Sequence, residues 1–276
     1  MVKIDRVRGE QRPAGGVSTK LGFVVTADSA GHIPGGTFEG LKEAGYGGVE
    51  ISCANPNHLP PLIDQCRRAN LQVLTVTTGR WLKRSIEEAD SDKYLTRALE
   101  VLVVGGEMVT CVGSSLIIGL IRGTSAVTDD DAYRFIRDLL SRLTEKTPDL
   151  NILVEPIWRE WACWPNTLSQ GAGLIRELNH PHIRLLADTL YFVNSGEEQE
   201  LEQFKDVITH LHIHIQNKIQ DISPEYALML VPYVRFWRRH SLTLSFELLD
   251  IPMAEVVRTA RDAKSWLTKM FSSVST

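Results

Sequence analysis

Eight short apolar segments recur along the chain, and most of them are followed by a stretch with the spacing of an amphipathic helix. The segments are rich in valine, isoleucine and leucine and end at polar residues or glycine, which is typical of strands buried in a parallel sheet. They begin at Leu21, Gly47, Leu71, Glu107, Asn151, Ile183, Ile208 and Leu242. This alternation predicts an α/β fold in which right-handed crossovers connect parallel strands.

Six helical patterns occupy the intervals, over residues 37–45, 59–70, 91–106, 128–146, 168–180 and 252–271. Their ends carry capping signals, such as Thr128 before three aspartates and Gly106 after an apolar run. Eight strands that alternate with helical patterns favour a closed (β/α)₈ TIM barrel, which usually takes about 250 residues. The alternative, an open doubly wound sheet, would be expected to show a GxGxxG after its first strand, and none is present. We therefore predict a single barrel domain over residues 21–276, preceded by a loose arm over residues 1–20.

The composition excludes several classes of function. The net charge is −4, and acidic and basic residues are mixed throughout, so no basic face for nucleic acid is expected. No apolar run reaches the ~20 residues of a membrane span, and the first residues lack the apolar core of a signal peptide. The cysteines, at positions 53, 66, 111 and 163, lie far apart and form no CxxC pair. The expectation is a reduced, cytoplasmic protein without nucleic-acid or membrane partners.

The last four predicted strands end at polar residues that can bind a metal. Glu155, Asp188 and Glu247 close the fifth, sixth and eighth strands, and the seventh carries His210, His212 and His214 in alternation. Because strand side chains repeat every second residue, the three imidazoles are expected to point the same way. In such barrels the active site lies at the C-terminal ends of the strands, so these side chains are predicted to converge.

Three carboxylates at one barrel mouth would repel each other, and burial of even one unpaired carboxylate is costly. A divalent cation resolves both problems. Two glutamates, one aspartate and one imidazole suit Mn²⁺, Mg²⁺ or Co²⁺, with Zn²⁺ as a further candidate. The competing interpretation is that each acid caps a helix or pairs with an arginine. It accounts for one such strand end as well as a metal does, but it accounts poorly for four in succession.

Four segments resemble, in their order and spacing, those of the xylose isomerase-like TIM barrel superfamily. They are LVEPIWR, LNHPHIRLLADTLYF, ITHLHIHIQNK and LSFELL, and GYGGVEIS is similar to the second strand of that superfamily. The resemblance spans roughly residues 21–269. The superfamily comprises sugar (phosphate) isomerases and epimerases, among them ketose 3-epimerases, inosose dehydratases and hydroxypyruvate isomerases.

The resemblance implies that Glu155, Asp188, His212 and Glu247 hold one divalent ion. It further implies that Glu155 and Glu247 form an acid/base pair on opposite faces of the reacting carbon. The implied reaction is isomerisation or epimerisation of a carbohydrate-like α-hydroxy carbonyl compound, because a cation stabilises the enediolate that proton removal leaves. The resemblance also implies a homo-oligomer, either a dimer or a tetramer.

The chain departs from the superfamily at several expected substrate contacts. Tyr191 stands where many of the epimerases have a histidine, three residues after the sixth-strand aspartate, and Lys218 stands near the position of a common arginine. Trp158 replaces a polar residue in the Glu-Pro segment. We expect these three residues and His214 to contact substrate, with His210 lying deeper in the barrel. Trp158, Trp161 and Trp164 share one loop, which fits either a lid or subunit contact or an aromatic wall for a substrate less polar than a free sugar.

Three other functions remain open from the sequence. The same scaffold serves lyases such as the inosose dehydratases, in which the intermediate expels a β-hydroxyl. An endonuclease IV-like activity is disfavoured, because that site recruits additional histidines, Tyr191 replaces one of them, and no Asp-x-His follows the seventh strand. A non-catalytic binding protein with a vestigial metal site is the third alternative.

Overall fold

The computed structural model of the chain describes residues 20–82, 91–122, 128–162, 164–192, 201–215, 222–248 and 251–274. The predicted N-terminal arm lies outside the described residues apart from Lys20, which begins the first strand. Among the helices that are described, none is long and apolar enough to cross a bilayer.

Eight parallel strands form a closed barrel in sequence order, and the first strand pairs with the last. This confirms the predicted (β/α)₈ barrel and rules out the open sheet. The strands are β1 (Lys20–Thr26), β2 (Gly48–Ser52), β3 (Gln72–Thr77), β4 (Ser115–Ile118), β5 (Asn151–Val154), β6 (Ile183–Asp188), β7 (Ile208–Ile215) and β8 (Thr243–Leu248).

Helices connect the strands and cover the outside of the barrel. They are α1 (Thr37–Glu43), α2 (Leu59–Arg68), α3 (Ser91–Cys111), α4 (Asp129–Lys146), α5 (Leu168–Leu178), α6 (Thr189–Phe192), α7 (Pro224–His240) and α8 (Val256–Val274). Several begin at side-chain caps, and the hydroxyl of Thr128 accepts the backbone N–H of Asp131 at the start of α4. Helix α7 is absent from the six helical patterns, although Ser223 and Pro224 provide an N-cap and a first-position proline.

The fourth strand differs from its predicted position. The expectation placed it from Glu107, but residues 107–111 continue α3, and β4 starts at Ser115. Gly105 and Gly106 do not end the helix; they allow close packing. A Cβ on Gly105 would lie 2.1 Å from the Trp81 ring, and one on Gly106 would lie 2.8 Å from Leu150. The chain turns instead at Gly113, which has a φ of 66°.

The two faces of the strands differ in polarity. Outward-facing residues such as Phe23, Val49 and Ile51 are fully buried in the main core beneath the helices. Inside the barrel, Ile117, Leu153 and Leu186 form a separate apolar cluster on the β4–β6 side. The opposite side of the interior is polar, since strand register aligns Glu50 with Thr75, His210 with Thr243, and His212 with Ser245. The barrel therefore has a one-sided polar interior that leads to its C-terminal mouth.

Candidate metal centre

Four polar side chains from consecutive strands meet at the C-terminal mouth of the barrel. Glu155 directly follows β5, Asp188 is the last residue of β6, and β7 and β8 supply His212 and Glu247. Register aligns Asp188 with His212, so their side chains share the interior face. One ligand atom from each of the four lies within 4.8 Å of every other. The structure thus brings together the four residues that the sequence singled out as metal ligands.

His212 Nδ1 lies at the centre of this group. It is 3.2 Å from Glu247 Oε2, 3.7 Å from Asp188 Oδ2 and 3.8 Å from Glu155 Oε1. The His212 and Asp188 side chains are almost fully buried, whereas the Glu247 side chain is 25% exposed. The group is therefore closed towards the barrel interior and opens to solvent on the Glu247 side.

Burial and mutual charge shift the pKa values of this group strongly. Burial raises the pKa of Glu155 to about 8, an effect that His212 opposes and the neighbouring carboxylates reinforce. Burial would also raise the pKa of Glu247, but attraction to His212 and His214 holds it well below its usual range. Burial disfavours a charged His212, yet Glu50, followed by Asp188 and Glu247, raises its pKa well above the usual value. In the absence of an ion, protons therefore balance much of the buried negative charge.

The donor set fits a divalent cation. Asp188 Oδ2 and His212 Nδ1 are buried and have no hydrogen-bond partner among the residues that the structure describes. Ligand oxygens and nitrogens lie about 2.0–2.2 Å from Mg²⁺ or Zn²⁺, which separates neighbouring ligands by about 3 to 3.5 Å. The distances from His212 Nδ1 are close to this range. Three carboxylates and one imidazole match the oxygen-rich shell of Mn²⁺, Mg²⁺ or Co²⁺.

Gly119, which follows β4, makes room for the Glu155 carboxylate. A Cβ at this position would lie 2.3 Å from Glu155 Oε2 and 3.1 Å from Ile157 Cδ1. The backbone N–H of Glu155 donates to Ile118 O at 3.1 Å, which fixes the start of this segment against the end of β4. The absence of a side chain at residue 119 thus sets the space in which the carboxylate lies.

The two other histidines of β7 flank His212 on the same face. His214 Nδ1 lies 3.8 Å from Asp188 Oδ2 and 3.6 Å from Glu247 Oε2, and the side chain is 2% exposed. Burial lowers the pKa of His214, but these two carboxylates outweigh it and raise the pKa to about 10. His210 lies deeper, where burial, followed by His212, lowers its pKa well below the usual value.

Glu50 is a buried acid that the sequence analysis did not select. It lies within β2 and is fully buried, and its Oε2 accepts a hydrogen bond from the Thr75 hydroxyl. The same oxygen is 2.9 Å from His212 Nε2 and 3.5 Å from His210 Nε2. Ligand atoms of Glu50, His210 and His212 also lie within 4.8 Å of one another. Its sequence signal is an acid within an apolar strand. Glu50 stands two residues before the end of β2, whereas the predicted carboxylate ligands of the other strands stand at or next to strand ends.

Two of the other expected substrate contacts lie together beside the mouth. Trp158 and Tyr191, which follow Glu155 and Asp188 by three residues each, have ring centroids 5.5 Å apart, and Trp158 Nε1 donates to Tyr191 O at 3.2 Å. Trp161 packs edge-on against both rings and is 36% exposed. Trp164 packs instead against Tyr133. We call Trp158, Trp161 and Tyr191 the aromatic cluster.

The remaining expected contact, Lys218, lies outside the described residues. The buried cysteines behave as core residues: burial raises the pKa of Cys53, and it raises the pKa of Cys66 to about 12. Neither thiol is therefore activated as a nucleophile.

Comparison with known proteins agrees with this architecture. The family model for the xylose isomerase-like TIM barrel matches residues 38–266. Among curated protein sequences, none matches the chain significantly.

Solved structures with the same architecture include several sugar epimerases. The chain is similar to 3-keto-D-glucoside 4-epimerase from E. coli, with a TM-score of 0.63 and 20% identity over 91% of this chain and 100% of that one. It is also similar to D-allulose 3-epimerase from Methylomonas sp., with a TM-score of 0.67 and 16% identity over 91% and 97% of the two chains. An L-ribulose 3-epimerase gives a TM-score of 0.69 at 15% identity over 94% and 97%. At these identities the likeness establishes the shared fold.

Proposed function

The chain belongs to the xylose isomerase-like TIM barrel family, and from this premise we propose that it is a divalent-metal-dependent isomerase or epimerase. Its substrate would be a small carbohydrate-like α-hydroxy carbonyl compound. The observation that carries the proposal is the convergence of Glu155, Asp188, His212 and Glu247, with their ligand atoms within 4.8 Å of one another at the barrel mouth. The sugar epimerases among the similar structures support the same class of substrate.

We assign the four residues as ligands of one ion, with Mn²⁺, Mg²⁺ or Co²⁺ preferred because three of the side chains are carboxylates. When bound, such an ion would polarise the substrate oxygens and stabilise the negative charge that develops on them. Asp188 and His212 are the most enclosed of the four, so their role is to hold the ion. Glu155 follows β5 and Glu247 lies on β8, so their strands stand on either side of β7 in the barrel order. We assign these two glutamates the second role of moving protons.

The chemistry needs a group that removes a proton from the carbon next to the carbonyl and a group that returns one. Glu155 and Glu247 fill these roles as the acid/base pair. Return of the proton to the opposite face of the same carbon gives epimerisation, and its return to the neighbouring carbon gives isomerisation. Positioned proton transfer of this kind is worth about 10²–10⁴-fold in rate.

Substrate contacts are proposed for His214, Tyr191, Trp158 and Lys218. His214 lies against Asp188 and Glu247, so a protonated His214 would donate to a substrate oxygen held there. The aromatic cluster supports a wall beside the mouth, since its rings pack on one another and Trp161 keeps an exposed face. Such a wall would favour a glycoside or another substrate with an apolar part.

Two wider properties are also proposed. Cys53, Cys66 and Cys111 are free thiols, which supports a reducing compartment such as the cytoplasm. Leu228 and Met229 on α7 are 71% and 39% exposed, which supports a subunit contact in a homodimer or homotetramer.

The direct test is a panel of ketoses, keto-glycosides and their phosphates incubated with the Mn²⁺-loaded protein in D₂O. We expect deuterium to appear at the carbon next to the carbonyl in recovered substrate and product. An enol or enone product without incorporation into substrate would assign the lyase reaction instead. Absence of both in a protein that binds the ion would refute catalysis on this class of compound.

A further inference from the structure

Glu50 has the environment of a group that acts on a neighbouring side chain. It is fully buried in β2, deeper in the barrel than the mouth, and it faces His212 of β7 across the barrel interior. Its Oε2 accepts from the Thr75 hydroxyl and lies 2.9 Å from His212 Nε2. No described arginine or lysine pairs with it. A carboxylate this deeply buried is costly, so the contact with His212 has to offset a substantial desolvation penalty.

We propose that Glu50 is a positioning residue that fixes the ring orientation and tautomer of His212. This inference rests on the proposed function, because it takes His212 to be an ion ligand. A neutral imidazole carries one N–H, and its other nitrogen has a free lone pair. With the proton on Nε2, the ring donates to Glu50 and turns the Nδ1 lone pair towards Glu155, Asp188 and Glu247.

The opposite tautomer is disfavoured by the same contact. It would place the Nε2 lone pair 2.9 Å from a carboxylate oxygen and direct an N–H into the ion site. Hydrogen bonding of the second ring nitrogen to a carboxylate is a common way to orient a metal-bound histidine and to raise its basicity. Thr75 in turn restrains Glu50, since β2 and β3 align these two residues in register.

The competing explanation is a second ion held by Glu50, His210 and His212. It has some support, because Glu50 Oε1 and His210 Nε2 are buried and find no hydrogen-bond partner in the described part of the chain. However, it would require His212 to ligate through both nitrogens and lose both ring protons. A 2.9 Å separation between Nε2 and Oε2 is the ordinary length of a hydrogen bond and needs no ion. The geometry therefore favours the positioning role.

The test is titration calorimetry of ion-free protein with Mn²⁺, on the wild type and three variants. Glu50→Gln keeps the size of the side chain but removes its charge, and we expect the Mn²⁺ affinity to fall about tenfold. Glu50→Leu removes the acceptor, and we expect a loss of up to about 100-fold, the range found for such outer partners. Because an apolar side chain suits a buried site, Glu50→Leu should remain folded. Glu43→Gln, the same change at a surface position, should bind as the wild type does.

A second measurement reports the proton itself. In the Zn²⁺-loaded wild type, ¹⁵N–¹H spectra of the imidazoles should show His212 with its proton on Nε2, in a hydrogen bond shielded from solvent exchange. The Nε2–H signal should shift and exchange faster in Glu50→Gln. A purely structural contribution of Glu50 would leave this signal unchanged.

The outcomes separate the two proposals. Wild-type affinity and an unchanged Nε2–H signal in folded Glu50→Gln and Glu50→Leu would overturn the positioning role and leave the proposed function intact. A stoichiometry of two ions in the wild type, reduced to one in Glu50→Gln, would also overturn it. Failure of the wild type to bind an ion would refute both proposals. Weakened binding in the variants, with no turnover by the loaded wild type, would support the positioning role and refute the proposed reaction.

Discussion

Replacement of Gly119 by alanine should weaken ion binding without harming the fold. The added Cβ would lie 2.3 Å from Glu155 Oε2. Carbon–oxygen contacts in proteins are about 3.3 Å or longer, so the carboxylate would have to retreat by about 1 Å. The end of a glutamate side chain can move this far by rotation, whereas the backbone at residue 119 keeps an ordinary conformation. The strain is therefore expected to fall on the position of the ligand.

The size of the effect follows from this displacement. A misplacement of about 1 Å can cost about 10²-fold in turnover, which equals about 2.7 kcal/mol of transition-state stabilisation. For the ion, disturbance of one ligand should lower the affinity by about 10- to 100-fold, as loss of supporting contacts does elsewhere. The free energy of unfolding of the ion-free protein should change by less than about 1 kcal/mol, because alanine also reduces the freedom of the unfolded chain.

Calorimetric titration with Mn²⁺ and urea unfolding would measure these two quantities separately. Gly173→Ala is the matched control, since Gly173 is exposed on α5 and no atom of the described residues lies within 4 Å of a Cβ placed there. We expect that variant to bind Mn²⁺ normally and to be more stable by about 0.5–1 kcal/mol. Gly119→Ala with unchanged affinity and turnover would refute the assignment of Glu155 as a ligand held in a space of fixed size.

Four further outcomes are expected. Glu155→Gln and Glu247→Gln should each lower deuterium incorporation by at least about 10²-fold, because each removes one member of the acid/base pair, and their circular dichroism should stay unchanged. Turnover at the wild-type rate in either variant would contradict the acid/base assignment. Chelation should abolish turnover and Mn²⁺ should restore it, so a chelator-resistant enzyme would argue for a metal-free reaction. Ion uptake at pH 7 should release protons and tighten as the pH rises towards 8, because the pKa of Glu155 is about 8 and that of His212 is raised. Calorimetry in buffers of different ionisation enthalpy measures the proton release, and equal heats of binding in all buffers would exclude it. Tyr46→Phe should lower the free energy of unfolding, measured in urea, by about 1 kcal/mol without altering ion affinity, because the buried hydroxyl donates to Ala260 O at 2.8 Å. An unchanged free energy of unfolding would show that this hydrogen bond makes no net contribution.

The barrel and the composition of its mouth were predictable from the sequence because both depend on local patterns. Strand period and strand ends identify Glu155, Asp188 and Glu247, and parallel strands bring their ends to one side of a barrel. The alternating histidines of β7 also point one way, as expected. These inferences need no knowledge of which residues touch across the barrel.

The errors have a common physical origin in contacts that are distant in sequence. Gly105 and Gly106 resemble a helix end in the sequence and so shift the predicted fourth strand towards the N-terminus, whereas their role is to accommodate Trp81 and Leu150. The sequence does not distinguish Glu50 as a site residue, because its importance depends on His212, which is 162 residues away. No local pattern reports either contact.

The buried ligand atoms at the mouth that lack a hydrogen-bond partner within the described ranges, Asp188 Oδ2 and His212 Nδ1, have a practical consequence. An ion that binds only the folded barrel adds stability with its concentration, by about 2.7 kcal/mol at 100 times the dissociation constant. For chains of about 150–250 residues each kcal/mol shifts the melting temperature by about 2–4 °C. A series of melting curves with different divalent salts would therefore rank the ions that this protein prefers, with no substrate in the assay.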